Sequence, residues 1–216
     1  MQTERDAARG RLTAEAYRYV RGAILSGEFP MGSILAEGEL ASTLGSSRTP
    51  VRHALGLLLK EGLLEVGARR QLIVRGFTPA HRREIALIRE ALEVIAVREA
   101  CSVLSDDDFD QLRLLVLRQR RAAAAADQEG FLELDEGFHL KIAEAANLPI
   151  LYGLLSQLRG FVRVARLDDE RPVAVLAEVT DEHDGIVDAL ERRDPDAAVD
   201  VLLAHLNKKD YAEERL

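Results

Sequence analysis

The sequence predicts a mainly α-helical protein in two parts: three helices with a small two-stranded wing in front, then an antiparallel bundle of helices. Three observations carry this. Alanine, leucine, glutamate and arginine, all good helix formers, dominate a chain of 216 residues with only 5% aromatics. The apolar/polar alternation of a strand occurs only between residues 64 and 74, and is absent after Pro79. Charge is also divided. Residues 1–78 hold 11 Lys+Arg against 8 Asp+Glu, a net of +3, while the remainder holds 18 against 29, a net of −11. A basic front and an acidic back imply modules with different partners. The stretch "GFTPA" marks the boundary, giving a front module of residues 1–78 and a rear module of residues 79–216.

In the front module the first helix is expected to start at Thr13, as N-cap, and to run through "AEAYRYVRGAILS" to Gly27. "EFPMGS" is a loop. Residues 37–44 form a short helix closed by Gly45. Ser46 or Ser47 then caps "RTPVRHALGLLLKE", with Pro50 tolerated in the first turn and Gly62 ending the helix. "LLEVGARRQLIVRGF" reads as two short strands around a basic turn, because Leu64, Val66, Leu72 and Val74 alternate with polar neighbours.

Three helices followed by a basic two-stranded wing is the pattern of a winged helix-turn-helix. Its third helix must enter a major groove and needs donors at its N-terminal end. That end carries Ser47, Arg48, Thr49 and Arg52. Arginines can bond guanine in bidentate fashion, while hydroxyls and helix N-terminal amides hold phosphates. Arg69 and Arg70 stand at the wing tip, placed for phosphate or minor-groove contact. A solvated basic face with no ligand would show the same residues.

The rear module is expected to hold helices at 80–102, 106–126, 128–146, 150–167, 174–193 and 195–213. Ser105 with Asp108 forms a capping-box variant, and Asn147 is a candidate C-cap. Pro149, Pro172 and Pro195 fall at or near helix starts, where proline does least damage. No apolar run approaches the roughly 20 residues of a membrane-spanning helix. The polar "MQTERDAARGRL" lacks the apolar core of a signal peptide. A single cysteine, Cys101, fits a reducing compartment, so a cytoplasmic location is expected.

In "ELDEGFHLKIAEAANLP", Asp135 and His139 lie one helical turn apart on a face shared with Leu132, Ile142, Ala143 and Ala146. His183 has Val179, Ile186, Val187 and Leu190 at helical spacing around it, and His205 follows Val201 and Leu202. Three histidines from three helices thus point inward beside an aspartate. An unpaired ionised aspartate in a core would cost several kcal/mol. A divalent cation held by three neutral imidazoles and one carboxylate removes that cost. Hydrogen-bonded core histidines are the alternative.

"LGSSRTPVRHALGLLLKEGLL" and the upstream "ILSGEFPMGSIL" resemble the signature segments of the GntR family of bacterial transcription regulators. Three departures stand out: Gly38 replaces a frequent DNA-touching arginine, His53 a usual glutamate, and Gln71 a common wing glycine. "LDEGFHLKIAEAANLPIL" and "EHDGIVDALERRDPDAAVDVLLAHL" resemble the FadR-like, or FCD, effector domain found behind such winged helices. By that resemblance the metal ligands are Asp135, His139, His183 and His205, and Arg89 in "LIREALE" is an effector-binding arginine. A salt bridge from Arg89 to Glu93 is the competing role.

The resemblance implies a DNA-binding transcription regulator, more readily a repressor, that binds a palindromic operator as a homodimer. A small organic acid at the metal would modulate its operator affinity. Zinc is the first expectation, with nickel or manganese as alternatives; four protein ligands would close a tetrahedral zinc site, yet leave two positions open in an octahedral one. Imidazoles must be neutral to coordinate, so acidification should release the metal. Two other readings stay open. One is a metal-dependent hydrolase, although Glu136 and Glu182, each about 100° round the helix from a ligand, offer no placed general base. The other is a regulator whose metal is purely structural.

Overall fold

The computed structural model describes residues 2–166 and 172–210, and the chain divides into two compact units, Met1–Phe77 and Thr78–Leu216. The first contains α1 (Gln2–Leu25), β1 (Ile34–Leu35), α2 (Glu37–Thr43), α3 (Arg48–Glu61), β2 (Leu64–Val66) and β3 (Leu72–Val74). In α3, Val51, Ala54, Leu55 and Leu58 recur at helical spacing and are fully buried against α1, which contributes Ala16, Val20, Ala23 and Ile24. The opposite face of α3, with Arg48, Arg52 and His53, is left to solvent. Gly62 then ends the helix at φ 80°, a left-handed conformation that favours glycine.

Two expectations for this unit are corrected. Helix α1 begins at Gln2, so Thr13 lies inside it rather than capping it. The segment ahead of Thr13 carries three Arg and two Ala, and a lone Gly10 costs only about 1 kcal/mol in a helix. The sheet has a third strand among the described residues: its order is β1-β3-β2, with Ile34 opposite Ile73 and Leu64 opposite Val74, both pairings antiparallel. A two-residue strand is too short to show alternation.

The second unit holds α4 (Pro79–Val103), α5 (Asp106–Ala124), α6 (Gln128–Ala145), α7 (Pro149–Arg166), α8 (Val173–Glu191) and α9 (Pro195–Asp210). The expected helix ends at 167 and 213 lie outside the described residues. Three-residue links between α5 and α6, α6 and α7, and α8 and α9 turn the chain back on itself, so these neighbours run antiparallel. Ser105 and Asp108 form the expected capping box. Asn147 sits one residue beyond the C-cap Ala146, at φ 54°, where asparagine tolerates the left-handed turn. Phe138, Leu112, Val116, Ile142, Ile186, Leu190 and Leu202 belong to one continuous core cluster. Each large side chain of this kind contributes about 1.5–3 kcal/mol on burial.

Candidate functional site

Asp135 and His139 come from α6, His183 from α8 and His205 from α9. All four are buried, and one ligand atom from each lies within 4.8 Å of the other three. Ligand atoms around a cation at about 2.1 Å stand roughly 3–4 Å apart, so little contraction separates this cluster from a coordination shell. The three rings also pack on one another, and Phe138 packs edge-on against His139 and stacks against His183 at 4.2 Å between centroids.

The outer nitrogens show which way the lone pairs face. His205 Nδ1 lies 2.8 Å from Glu182 Oε2, and His139 Nδ1 lies 2.6 Å from Glu93 Oε2. A carboxylate oxygen that close requires a proton on the nitrogen. His183 Nδ1 lies 2.7 Å from Gln119 Oε1, and the Gln119 amide is oriented by donating from Nε2 to the Leu134 carbonyl at 3.0 Å. The Nδ1 atoms of His183 and His205 are therefore donors and leave an unshared pair on each Nε2, while His139 Nδ1 stands in close contact with the Glu93 carboxylate. His183 Nε2 and His205 Nε2 face each other at 3.3 Å, and Asp135 Oδ1 stands 3.6 Å from His183 Nε2. His139 Nε2 is buried with no hydrogen-bond partner among the described residues. Lone pairs aimed at one another repel unless a cation lies among them, so the donor set fits a metal. Outer hydrogen bonds that fix the tautomer are what metal-binding histidines ordinarily carry.

Charge around the ligands is paired by residues of other helices. Arg159 on α7 donates from Nη2 to Asp135 Oδ2 at 2.6 Å and from Nη1 to Glu93 Oε1 at 3.2 Å. Arg89 is 1% exposed, and its Nε lies 3.5 Å from Glu93 Oε1, the i,i+4 pair weighed from sequence. Burial alone would push the Glu93 carboxyl up, but His139, Arg159 and Arg89 outweigh it and bring it to about 2. Burial, reinforced by Arg159, lowers His139 to about 4 against the pull of Glu93, which keeps the imidazole neutral near pH 7. Glu182 is engaged with His205, and Glu136 lies 3.6 Å from Arg163, so neither is a ready general base.

Glu93, Gln119, Arg159 and Glu182 were absent from the sequence-derived site. Only Glu182, adjacent to His183, and Glu93, four residues after Arg89, carried any signal.

On the first unit, Ser47 is the N-cap of α3, though its side chain makes no capping bond, and Ser47, Arg48, Thr49 and Arg52 are all exposed. The Arg48 guanidinium lies over Gly38, 3.4 Å from where a Cβ would stand, so it occupies space that a side chain there would take. Glu37 accepts from Arg52 Nε at 2.8 Å and from Nη2 at 2.7 Å, and this bond holds the Glu37 carboxyl below its ordinary range. Arg69 and Arg70 are exposed at the turn between β2 and β3. Gln71 shapes that turn: its side-chain Oε1 accepts from the Arg69 amide at 2.9 Å and its carbonyl from the Gly67 amide at 2.8 Å. The left-handed residue is Arg70, at φ 60°. The wing thus closes without a glycine at position 71.

Residues 84–208 match the FCD domain, and residues 12–74 match the bacterial regulatory proteins of the gntR family. The HTH-type transcriptional repressor RspR of Escherichia coli (strain K12) is 28% identical over 197 residues, covering 90% of this chain and 85% of that protein. The probable D-xylose utilization operon transcriptional repressor of Paenarthrobacter nicotinovorans is 30% identical over 208 residues, covering 94% and 89%. The solved structure of E. coli McbR/YncC superposes with a TM-score of 0.85 at 26% identity, covering 94% of this chain and 99% of that one. No helix among the described residues is long and apolar enough to cross a membrane. This chain is therefore a DNA-binding transcription regulator that belongs to the GntR family and carries an FCD domain.

Proposed function

We propose that the protein is a cytoplasmic repressor that binds a palindromic operator as a homodimer, and that a small organic acid at a metal centre in the FCD domain modulates its affinity. The metal would be held by Asp135, His139, His183 and His205. Zinc is the first choice, because neutral imidazoles with one carboxylate form a borderline donor set; nickel and manganese are the alternatives. The observation that carries the reading is the burial of Asp135, His139, His183 and His205 with one ligand atom from each within 4.8 Å of the others.

Charge supports an acid as effector. Arg89 and Arg159 balance Glu93 and Asp135, and Glu182 adds one negative charge behind His205. A divalent ion would bring this group to a net of about +1, calling for one anion in a low-dielectric setting. When bound, the metal supplies the charge that receives a carboxylate, with Arg89 as the adjacent cation. On the DNA side, Ser47, Arg48, Thr49 and Arg52 would enter the major groove, and Arg69 and Arg70 would reach the backbone or minor groove. Full burial of all four ligands favours one other reading, a metal that only locks the bundle.

Elemental analysis of the purified protein, followed by gel shifts against sequences upstream of its own and neighbouring genes, tests the proposal. About one metal per chain, a specific shifted band, and a band weakened by one member of an organic-acid panel are expected. A metal-free protein that remains metal-free after incubation with zinc, nickel or manganese would remove the sensor half. A specific band that no acid alters would favour the structural metal.

A further inference from the structure

One exposed arginine of α3 is fixed by a neighbour that cannot itself favour DNA. Arg52 lies on the exposed face of α3, four residues after Arg48, with its side chain 66% exposed. Glu37, in the first turn of α2, is 29% exposed and grips the guanidinium along one edge: Nε donates to both carboxylate oxygens at 2.8 and 3.0 Å, and Nη2 to one at 2.7 Å. An arginine has two edges capable of paired bonds, Nε with Nη2 and Nη1 with Nη2. Glu37 occupies the first. The second, at the end of the side chain, matches the O6 and N7 acceptors of guanine.

We infer that Glu37 is a positioning residue for sequence reading, holding Arg52 by its Nε–Nη2 edge so that the Nη1–Nη2 edge meets a guanine in the major groove. The inference rests on α3 entering that groove. Its physical content is preorganisation. A free arginine surrenders its rotamer freedom on binding and can swing onto the nearest phosphate, whereas a clamped one presents a single geometry. Placement at the N-terminus of α2 favours the carboxylate and keeps the clamp closed. The same negative charge repels phosphates, so Glu37 should weaken affinity for random DNA while sharpening the choice of base. Opposite signs on those two quantities separate positioning from a plain structural or electrostatic role.

The test uses the full chain as wild type, Glu37→Gln, Glu37→Asp and Arg52→Ala, each checked by circular dichroism and thermal midpoint. Wild-type protein first selects its half-site from a randomised duplex pool. Binding is then measured by fluorescence anisotropy at several salt concentrations, on that site, on the site with each G·C pair changed to A·T, and on random duplex. Wild type is expected to prefer guanine at one position per half-site by about ten- to a hundredfold, and Arg52→Ala to lose that preference. Glu37→Gln should lose about tenfold of it while binding random duplex several-fold more tightly. Glu37→Asp keeps the charge but falls one methylene short, so it should lose discrimination without gaining affinity for random duplex. Guanine preference unchanged in Glu37→Gln overturns the inference, as does a preference indifferent to Arg52→Ala. Failure of wild type to select any site overturns the placement of α3 beneath it.

Discussion

Replacing Glu182 by glutamine removes one negative charge from behind the His205 ring and leaves the side chain's shape intact. The amide oxygen can still accept from Nδ1, 2.8 Å away, so the ring keeps its tautomer but its Nε2 becomes less basic. Loss of such an outer partner ordinarily lowers metal affinity 10- to 100-fold, or about 1.4–2.7 kcal/mol. At free zinc 100 times the wild-type dissociation constant, binding stabilises the folded chain by about 2.7 kcal/mol. At the same zinc level the variant retains only about 0.4–1.4 kcal/mol. At about 3 °C per kcal/mol, the zinc-induced rise in melting temperature should shrink from about 8 °C to about 1–4 °C. Competition against a chromophoric chelator measures the affinity, and thermal melts at buffered free zinc measure the stabilisation. His205→Ala, which removes a ligand, should fall further on both. Wild-type zinc affinity in Glu182→Gln and His205→Ala together would refute the reasoning and return the imidazoles to ordinary core hydrogen bonding.

Arg159→Met leaves Asp135 and Glu93 with less compensation inside the bundle and should destabilise it by about 3–5 kcal/mol; urea unfolding with and without zinc checks this, and zinc should recover part of the loss. The Ser105 hydroxyl and amide, followed by Lys141, hold the Asp108 carboxyl down at about 2. Its folded value lies below the unfolded one, so its contribution is complete above about pH 4 and disappears as pH falls toward 2. With the side chain 22% exposed, about 1 kcal/mol is expected after screening, and Asp108→Asn should flatten the unfolding midpoint over that interval. Arg69→Ala and Arg70→Ala should weaken binding evenly across DNA sequences, each reducing the slope of log affinity against log salt by about 0.9 if it meets one phosphate. Base-dependent losses would assign them to groove reading instead.

Local chemistry made much of this architecture readable. Asp135 and His139 announce themselves through the i,i+4 rule, and His183 and His205 through apolar neighbours at helical spacing, because a buried polar residue interrupts a pattern that is otherwise continuous. The charge-bearing partners interrupt nothing comparable. Arg159 lies on α7 amid polar and apolar neighbours, and its engagement with Asp135 and Glu93 arises only when three helices meet. Gln119 reads as an ordinary polar residue of α5, yet it is fully buried and sets the His183 tautomer. In the first unit helix α3 was legible down to its exposed face. The Glu37–Arg52 clamp was not, since fifteen residues and a turn separate the two side chains. Strand β1 escaped because its pairing with β3 depends on a distant segment of chain.

The reach of Arg159 extends beyond the ligand cluster. Helix α7 donates no ligand, yet one of its guanidinium groups straddles a would-be ligand on α6 and the carboxylate that steadies a ligand ring from α4. Were a cation bound at Asp135, electron density drawn toward it would no longer be offered to that guanidinium. Under the proposed metal binding, occupancy would alter the hold on a helix that also carries exposed Ile150 and Leu154.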